Sequence, residues 1–434
     1  MHIMSQRSTL VEIVRDTMRE AYLSLTAGSV NNRDFSSIPP YFGLDLNRCL
    51  GWHATWEERR CFVTFVFHFM KTSLLTGENE AKERGALMVQ LAKANRTALR
   101  NYLLICDKDH SSKIGLQEGF ISVHRTEEKA RCAQQEAEEF GEEAVLLSRS
   151  EAIATEPKIA SLPFKDAYCV LRKHDQTADC AEFIRGMIKS FQDDVDVTYD
   201  KTNGAVRDIS LIKAESDASM HRFKVKTSNG ATNDFDYVVL AAGVYSPLFA
   251  SKISWSAGQS CPIYPLRGYS LTIFTKPKPN MPIFIKAMTF DKIYCTSVAT
   301  NMVRLAGFGE MAGFPNYDRK SCSRSGPMVL EKYGNRIFGE DAAKEIQGSA
   351  LPCYRPMSPD DVPIAGVVKD VPRLFLHCGH GTLGWTLSLA TAHCLAQDVC
   401  DDILGVEDRD TFVLPDGSLV DRMTLSPARF AILS

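Results

Sequence analysis

Apolar residues recur every three or four positions along much of the chain, and this spacing predicts amphipathic helices. In the first segment Leu10, Val14 and Met18 follow this period behind polar residues that favour a helix start. Pro157 marks the end of another segment, because the residue before a proline is biased away from the helical conformation. The segments with helical spacing are residues 1–26, 56–75, 79–106, 127–140, 148–157, 181–191 and 326–338.

Between these helices the period changes to alternating or continuous apolar runs, which predict strands. Residues 236–243 form an apolar run that ends at Gly243, as expected for a buried parallel strand. Residues 261–274 and 283–307 alternate and predict an antiparallel sheet. The remaining predicted strands are residues 119–124, 195–200, 205–215, 221–228 and 374–376.

The 434-residue length predicts two or three domains. Strands of both types occur without a low-complexity linker, so we expect interleaved domains rather than domains in series. A net charge of -3 gives no reason for general attraction to nucleic acid. The longest apolar run, residues 61–70, is too short to span a bilayer and is expected to be a buried helix face.

Thirteen cysteines occur without a C-x-x-C pair. This pattern argues against a disulfide framework or a metal site and favours a reducing compartment, which we expect to be the cytoplasm or a mitochondrion. We recognise no secretory signal. Glu12, Asp16 and Glu20 argue against a transit peptide in the first 25 residues.

The densest concentration of candidate chemistry lies in residues 351–400. Gly379-His-Gly-Thr-Leu-Gly384 has the spacing G-x-G-x-x-G, follows the predicted strand 374–376 and precedes a helix. Such a turn can bring backbone N–H groups close to a ligand. We reject a dinucleotide fingerprint, because only about fifty residues follow and a mononucleotide-binding half needs further strands. A turn that serves packing alone is the alternative.

Other residues in this region have a functional and a structural interpretation. Arg355 precedes a proline and is expected to be extended, so its side chain could clamp a carboxylate; a surface salt bridge is the alternative. His380 could lie beside a bound ring or serve packing, and Cys353 could be a nucleophile or an inert buried thiol. Residues 307–313 (GFGEMAG) are expected to be a turn between sheet strands.

Several runs in this region together resemble bacterial-type D-amino acid dehydrogenases, which belong to the D-amino acid oxidase-like FAD-dependent oxidoreductases. The runs that carry the resemblance are RPMSPD at 355–360, VPIAG at 362–366 and GHGTLGW at 379–385. Other segments are similar to the same family in the same order, namely residues 175–180, 236–243, 262–272 and 304–312. The likeness extends from about residue 27 to the region of residue 413.

This resemblance implies an α/β + β fold with two interleaved domains. The FAD-binding domain, Rossmann-like but without its first βαβ unit, would comprise residues 27–100, 175–258 and 352–434. The substrate domain, built on an antiparallel sheet, would comprise residues 101–174 and 259–351. Residues 1–26 would be a helix outside the family's pattern.

The resemblance also implies FAD-dependent oxidation of the Cα–N bond of an amino acid by hydride transfer to the flavin. The imino acid product would be hydrolysed to an oxo acid and ammonia, and the electrons would pass to a quinone or to oxygen. Arg355 matches the arginine that binds the substrate carboxylate, and Tyr269 is a candidate neighbour in the same pocket. No catalytic acid or base is assigned. Nucleic acid is not an expected partner, whereas peripheral membrane contact is compatible with a quinone acceptor.

The cofactor contacts implied by the resemblance are backbone-rich. Backbone N–H groups and the helix dipole would stabilise negative charge on the reduced ring. Related sarcosine oxidases attach flavin through a cysteine at the place of Cys353, where D-amino acid dehydrogenases usually have glycine. The residues implied to contact FAD are Ala241, Gly243, Gly379, His380, Gly381, Thr382, Leu383 and Gly384.

One part of the family pattern is not found. The family begins with a strand, a G-x-G-x-x-G turn and a helix that hold the FAD pyrophosphate, but residues 1–25 contain no glycine. Two hypotheses follow: a truncated sequence of a working FAD dehydrogenase, or a non-catalytic relative that lacks the pyrophosphate site. A third is a sarcosine- or glycine-oxidase-like enzyme that reduces oxygen.

Overall fold

The structure of the protein is a computed structural model. It describes residues 42–52, 54–106, 113–164, 166–192, 197–198, 204–212, 222–274, 286–291, 293–299, 302–315, 325–339, 351–406 and 409–431. The predicted helix in residues 1–26 and most of the predicted strand 195–200 lie outside these ranges.

Each segment of helical spacing within the described ranges contains a helix, whereas four short helices, Leu46–Leu50, Ser246–Ile253, Trp255–Gln259 and Arg422–Leu425, have no counterpart among the predicted segments. Thr55 and Glu58 form a capping box at the start of one helix, and Ser148 and Glu151 form another. Within the described ranges, no helix has both the length and the hydropathy that a bilayer-spanning segment needs. The helices are α1 (Leu46–Leu50), α2 (Trp56–Leu75), α3 (Glu78–Ile105), α4 (Glu127–Glu139), α5 (Arg149–Thr155), α6 (Cys180–Gln192), α7 (Ser246–Ile253), α8 (Trp255–Gln259), α9 (Ser325–Phe338), α10 (Gly384–Leu404) and α11 (Arg422–Leu425).

The strands form one large sheet and several small ones, so the chain has a mixed α/β fold. The strands are β1 (Phe42–Leu44), β2 (Gln117–His124), β3 (Ala144–Leu147), β4 (Tyr168–Thr177), β5 (Val206–Ile212), β6 (Arg222–Thr227), β7 (Thr232–Phe235), β8 (Val238–Leu240), β9 (Tyr264–Phe274), β10 (Ala287–Phe290), β11 (Ile293–Ala299), β12 (Met302–Met311), β13 (Leu351–Met357), β14 (Ile364–Val367), β15 (Leu374–Cys378), β16 (Thr411–Val413) and β17 (Leu419–Asp421).

The large sheet has nine strands in the order β13-β9-β12-β11-β10-β2-β4-β3, with β1 beside β12. All its pairs are antiparallel except β1 with β12 and β10 with β2. One face carries the apolar side chains of Leu271, Met288 and Leu305 and is covered by α9 and by α5 with the turn after it. At one end of the opposite face, Phe62 and Phe65 of α2 pack on the sheet.

A second, three-stranded sheet has the order β14-β15-β8, in which β15 and β8 are parallel. Apolar side chains of α10 and α3 form one core beside this sheet. Those of α7 and α8 form another with β15 and with the small antiparallel sheet β5-β6-β7. The sheet therefore lies between two helical layers, which is the arrangement expected for a parallel-type sheet.

The helix after the glycine-rich turn does not lead into another parallel strand. α10 is followed by β16 and β17, which pair only with each other in an antiparallel ribbon. The βαβ unit of a dinucleotide fingerprint is therefore absent after Gly384 within the described residues. This confirms that the G-x-G-x-x-G spacing at 379–384 is not such a fingerprint.

Of two burial predictions, that of a buried strand within residues 236–243 is wrong in part, and that of a buried helix face at residues 61–70 is confirmed. Residues 236–243 do contain a parallel strand, but Val239 of β8 is exposed, because no described element covers that face of the strand. The run 61–70 is buried on one face of α2 only: Phe62 and Phe65 point inward, whereas Phe67 is more than half exposed. Both runs are apolar on two faces, so periodicity alone could not separate the inner face from the outer.

Candidate active site

Strand β13 brings together the two halves of the predicted site. Along its length β13 pairs with β9 in the large sheet. At its end Met357 forms an isolated bridge with His380, and the N–H of Gly381 donates to the carbonyl of Pro356 at 2.8 Å. Arg355 therefore lies one residue from a hydrogen bond to the glycine-rich turn. Arg355 and the glycine-rich turn are far apart in the sequence, and the fold makes them neighbours.

The guanidinium of Arg355 lies flat on the backbone of Gly268. A Cβ at position 268 would come 2.6 Å from Nη2 and 2.7 Å from Cζ of Arg355. A side chain at position 268 would displace the guanidinium from this place, because heavy atoms cannot approach a real Cβ so closely. Arg355 Nη1 also donates a hydrogen bond to the carbonyl of Phe308. Two backbone contacts from different strands thus hold the guanidinium in one orientation.

Arg355 has no carboxylate partner among the described residues. Its one hydrogen bond there is to the Phe308 carbonyl, and it forms no ion pair. A half-buried guanidinium that is held in place without a counter-ion is well suited to bind an anion, because Arg presents a planar fork that matches a carboxylate. The surface salt bridge considered for Arg355 is not formed within the described part of the chain.

The Phe308 carbonyl owes its direction to a β-bulge. The register between β12 and β9 shifts between Gly307 and Glu310, and Phe308 has a φ of 69°. The bulge packs the Phe308 ring against that of Tyr269, with the centroids 6.4 Å apart, while the carbonyl accepts from Arg355. The prediction of a turn in residues 307–313 is therefore wrong: this glycine-rich run continues β12 through a bulge, a common device beside functional sites.

Tyr269 is not brought together with Arg355. In the β13–β9 register, Arg355 pairs with Leu266 and Cys353 with Gly268, whereas Tyr269 pairs with Pro352. Because side chains alternate between faces, Tyr269 points to the face opposite Arg355. It is fully buried there under α9, where a Cβ on Gly326 would come 2.5 Å from its ring. The structure thus offers no contact between Tyr269 and a ligand held by Arg355.

The hydroxyl of Tyr269 belongs to a buried polar cluster. It donates to Glu310 Oε2 at 3.1 Å, and the same carboxylate accepts from Arg267 Nε at 2.9 Å. The side chains of Arg267 and Glu310 are only 7% and 12% exposed. The cluster compensates its charges internally, which indicates a structural role in holding the bulged end of β12 against β9.

Tyr294 is a residue on the Arg355 face that the sequence pattern did not single out. It pairs with Ala306, which pairs with Ser270, so all three point to the face of Gly268 and Cys353. The Tyr294 ring is substantially exposed and lies within electrostatic range of Arg355. The signal was missed because a tyrosine in an alternating strand is typical of any half-buried sheet. Only the register shows which face it occupies.

The glycine-rich turn follows β15 and is tightly bound to its surroundings. Gly379 and Gly381 have φ values of 77° and 54°, which favour glycine. A Cβ on Gly379 would come 3.4 Å from Cβ of Ser358. Two backbone N–H groups of the turn donate hydrogen bonds within the chain. That of Gly381 donates to the carbonyl of Pro356, and that of Leu383 donates to the carbonyl of His380 at 2.9 Å. Thr382 is exposed at the tip of the turn, and α10 begins at Gly384.

An asparagine of α3 fixes the start of the helix after the turn. Asn95 Oδ1 accepts from the N–H of Leu389 at 2.8 Å, and its Nδ2 donates to the carbonyl of Trp385 at 3.3 Å. The Trp385 ring packs edge-on against Phe183 of α6. These contacts hold the N-terminal end of α10, where the helix dipole is positive, in a set position.

Two histidines meet beneath the turn. His377 Nε2 and His380 Nε2 each lie 2.9 Å from Thr391 Oγ1, and their rings are 4.8 Å apart. Burial lowers the pKa of His377 to about 4. Burial, and next to it the neighbouring His377, lowers the pKa of His380 to about 3. Both imidazoles are therefore neutral at physiological pH.

These two lowered pKa values predict that the fold loses stability in acid. An unfolded histidine has a pKa near 6.5, so the unfolded chain binds more protons than the folded one as pH falls below that value. Between pH 7 and pH 5 we expect this pair to remove about 3–4 kcal/mol from the free energy of unfolding. Urea unfolding at both pH values should show a clearly smaller loss in the variant His377→Gln/His380→Gln.

The exposed His174 provides a matched control for this experiment. His174→Gln should retain the wild-type difference between pH 7 and pH 5, because this substitution leaves the buried pair of His377 and His380 intact. An equal pH dependence in the wild type and in the double variant would show that these histidines do not set the acid sensitivity.

The other predicted cofactor residues lie at the same edge as the turn. Because β8 and β15 are parallel, their carboxyl ends meet at one edge of the three-stranded sheet. Ala241 and Gly243 directly follow β8, as Gly379 follows β15. Gly243 has a φ of 55° and begins a short 3-10 turn, Gly243–Tyr245, which lies against β13. Ligands of open α/β sheets bind at such an edge.

Comparison with known proteins identifies the family of the chain. The family described as FAD dependent oxidoreductase (DAO) matches residues 50–398. The chain belongs to this family. A D-amino acid dehydrogenase of Rhizobium rhizogenes is 29% identical over 303 residues, covering 68% of this chain and 67% of that protein. One from Sinorhizobium medicae is 29% identical over 332 residues, covering 74% and 73%.

A solved structure shares the fold at lower identity. Glycine oxidase from Geobacillus kaustophilus superposes with a TM-score of 0.55 and 20% identity, covering 74% of this chain and 79% of that chain. The family match and the named relatives, not this fold likeness, indicate an FAD-dependent amino acid dehydrogenase or oxidase. FAD is its cofactor.

The described residues fit the ring end of FAD. Gly379 and Gly381 adopt a left-handed backbone that favours glycine, and their turn lies at the carboxyl edge of the small sheet, where ligands of such sheets bind. Ser246, just after the turn at Gly243, and Ser358, beside Gly379, have buried hydroxyls without a hydrogen-bond partner among the described residues. Buried hydroxyls are normally paired, and polar atoms of a bound ring would pair them. The described ranges contain no second G-x-G-x-x-G sequence. A turn that would bind the FAD pyrophosphate is therefore not identified in them.

Proposed function

We propose that the protein oxidises D-amino acids to oxo acids and ammonia with FAD. The observation that carries this proposal is the guanidinium of Arg355. It is half-buried, fixed by Gly268 and Phe308, without a carboxylate partner among the described residues, and one residue from the bond that joins β13 to the glycine-rich turn. The D configuration of the substrate is supported by the similar proteins, which are named D-amino acid dehydrogenases.

In this proposal Arg355 binds the substrate carboxylate through a bidentate pair of hydrogen bonds. The contacts to Gly268 and Phe308 orient the guanidinium before the substrate arrives, which reduces the entropy lost on binding. Bound FAD supplies the hydride acceptor for oxidation of the Cα–N bond. Cys353 lies on the Arg355 face, and we assign it no covalent attachment to flavin, because a free cysteine is the favoured interpretation.

The residues of the turn serve the ring end of the site. The dipole of α10 directs positive potential towards this end, which favours negative charge on a reduced ring. His380 is held neutral and bonded to Thr391, so it offers no positive charge there. No protein base is assigned, because a substrate amine that enters deprotonated needs none. Ala241, Gly243 and Gly379 to Gly384 remain the proposed cofactor contacts.

We also propose that the fold divides into two interleaved domains. The FAD-binding domain would comprise residues 27–100, 175–258 and 352–434, and the substrate domain residues 101–174 and 259–351. Most strands of the large sheet lie in the proposed substrate domain, which supports this division. β1 and most of β13 lie in segments assigned to the FAD domain although they pair within that sheet. β13 would then connect the two domains at the site.

The proposal predicts a yellow protein that is bleached by substrate. The purified full-length chain, loaded with FAD, should show flavin absorbance that disappears without oxygen when a D-amino acid is added. The L enantiomer should leave the absorbance unchanged. A panel of D-amino acids with matched L forms is the direct test. A folded chain that takes up no flavin would contradict the proposal and favour a non-catalytic relative.

The electron acceptor is part of the same proposal. Reoxidation of the bleached protein by a quinone, with slow reoxidation by oxygen, would make it a dehydrogenase like its named relatives. Rapid oxygen consumption would instead make it an oxidase, as in the glycine oxidase that shares its fold. Measuring both reoxidation rates on one preparation separates these alternatives.

A further inference from the structure

Helix α2 carries a row of large apolar side chains on the face that points away from the core. Its inner face packs Phe62 and Phe65 against the large sheet. Soluble proteins rarely leave so continuous a row of apolar side chains in water, so the row indicates an interaction surface. The row and its exposed fractions are Trp56 72%, Val63 58%, Phe67 53%, Met70 53% and Leu74 76%.

The spacing of this row specifies the kind of partner. With Arg60 included, successive positions are separated by alternating steps of four and three residues, which is the a/d pattern of a coiled coil. The guanidinium of Arg60 lies over the Trp255 ring at 4.8 Å, so its charged end is directed away from the row. We call these positions the α2 seam; they are 56, 60, 63, 67, 70 and 74. An a/d seam is complementary to another helix, not to a flat surface.

We propose that the α2 seam packs antiparallel against the α2 seam of a second copy of this chain. In this register Trp56 faces the partner's Leu74 and Val63 faces the partner's Phe67, so each a position meets a d position. The arrangement has two-fold symmetry and is self-complementary, as closed dimers require. Every apolar position of the seam then has an apolar or aliphatic neighbour.

Charges beside the seam select this direction. Glu57 and Lys71 occupy the same heptad position at opposite ends of α2, and both are exposed. Neither forms a hydrogen bond or an ion pair with the other described residues. In the antiparallel register each Glu57 comes opposite the partner's Lys71, which gives two oppositely charged pairs. In a parallel pair each of these positions would instead flank a different heptad position of the partner, so Glu57 and Lys71 would not meet and neither charge pair would form.

The exposed area is sufficient for a stable pair. From their exposed fractions, the five apolar side chains present roughly 600 Å² per copy, or roughly 1,200 Å² for the two copies, which lies at the lower end of specific interfaces. The aromatic residues Trp56 and Phe67 are of the kinds that dominate the energy of protein interfaces. This dimer leaves Arg355 and the glycine-rich turn outside the seam, so it does not depend on the proposed function.

Charge reversal gives the sharpest test. Sedimentation velocity of the FAD-supplemented full-length chain at micromolar concentration should show a dimer. Glu57→Lys and Lys71→Glu should each raise the dissociation constant about tenfold, because each makes two like-charge contacts. The combined variant Glu57→Lys/Lys71→Glu recreates both pairs and should return the constant to within about threefold of the wild type. These exposed substitutions are not expected to affect folding.

A seam substitution provides the second test. Phe67→Glu places two carboxylates inside the seam and should give a monomer, whereas Leu104→Glu, at a more exposed site near the end of α3 and outside the seam, should leave the dimer unchanged. Circular dichroism checks that both variants are folded. A monomeric wild type would overturn the proposal and would mean that another segment of the chain or a different partner covers the seam. A dimer insensitive to Phe67→Glu and to both charge reversals would overturn it as well.

Discussion

Replacing Arg355 by leucine is expected to lower kcat/KM for a D-amino acid about 10³-fold, because the substrate carboxylate loses a charge-assisted bidentate partner in a half-buried site. The neighbouring residues cannot compensate, since no other guanidinium contacts Gly268 or Phe308 in the described residues. Arg355→Lys keeps the charge but loses the planar fork, so its loss should be intermediate, about 10–100-fold. Steady-state kinetics with an artificial dye as acceptor measures both effects.

The same variants allow a test that does not depend on turnover. A simple carboxylate that binds beside the flavin shifts its absorbance spectrum, and the dissociation constant of this carboxylate should rise in parallel with the loss of kcat/KM. Arg100→Leu, an exposed arginine of α3, is the matched control and should change neither quantity by more than about twofold. If Arg355→Leu retained flavin and most of its kcat/KM, Arg355 would not bind the substrate carboxylate.

Glu310→Ala is expected to reduce the free energy of unfolding by about 3–5 kcal/mol, because it leaves the Arg267 guanidinium buried without its counter-charge. Glu310 accepts from Arg267 Nε at 2.9 Å and from the Tyr269 hydroxyl at 3.1 Å, so one substitution leaves two buried donors without this acceptor. The side chain of Arg267 is 7% exposed, and water cannot readily replace the carboxylate. Denaturant unfolding of the full-length chain measures the loss.

An exposed ion pair serves as the control for this experiment. Glu127→Ala breaks the pair with Arg131 on α4, where both side chains are about half exposed, and should cost no more than about 0.5 kcal/mol. The double variant Arg267→Met/Glu310→Leu removes both charges together and should recover much of the stability lost in Glu310→Ala. A loss below about 1 kcal/mol in Glu310→Ala would show that Arg267 finds another partner or solvent.

Tyr269 and Arg355 show which features of the site the sequence could predict and which it could not. Both lie in segments that resemble the family, and the resemblance implied that both bind substrate. A strand sequence does not state its register, and a shift of one residue moves a side chain to the other face. The pairing of Pro352 with Tyr269 places the tyrosine under α9, while Arg355 extends over Gly268 on the opposite face.

The β-bulge at Phe308 and the α2 seam are two further features that the local sequence pattern does not predict. Residues 307–313 have the composition of a turn, yet pairing with β9 and with β1 keeps residues 307–311 in β12, with a register shift against β9. Phe62, Phe65 and Phe67 are equally apolar in sequence. Only the position of α2 on the large sheet decides that the first two are buried and the third is exposed.

The sequence by itself determined the positions of the longer helices, the parallel strand before Gly243, the glycine-rich turn and the family with its FAD cofactor. Helix periods, caps and turn residues act between neighbours in the chain, so they can be read locally. The tertiary structure alone decided that Arg355 lacks a carboxylate partner within the described residues, which tyrosine shares its face, and that β13 joins it to the turn. These features depend on strand register and on contacts between distant segments, which no local pattern encodes.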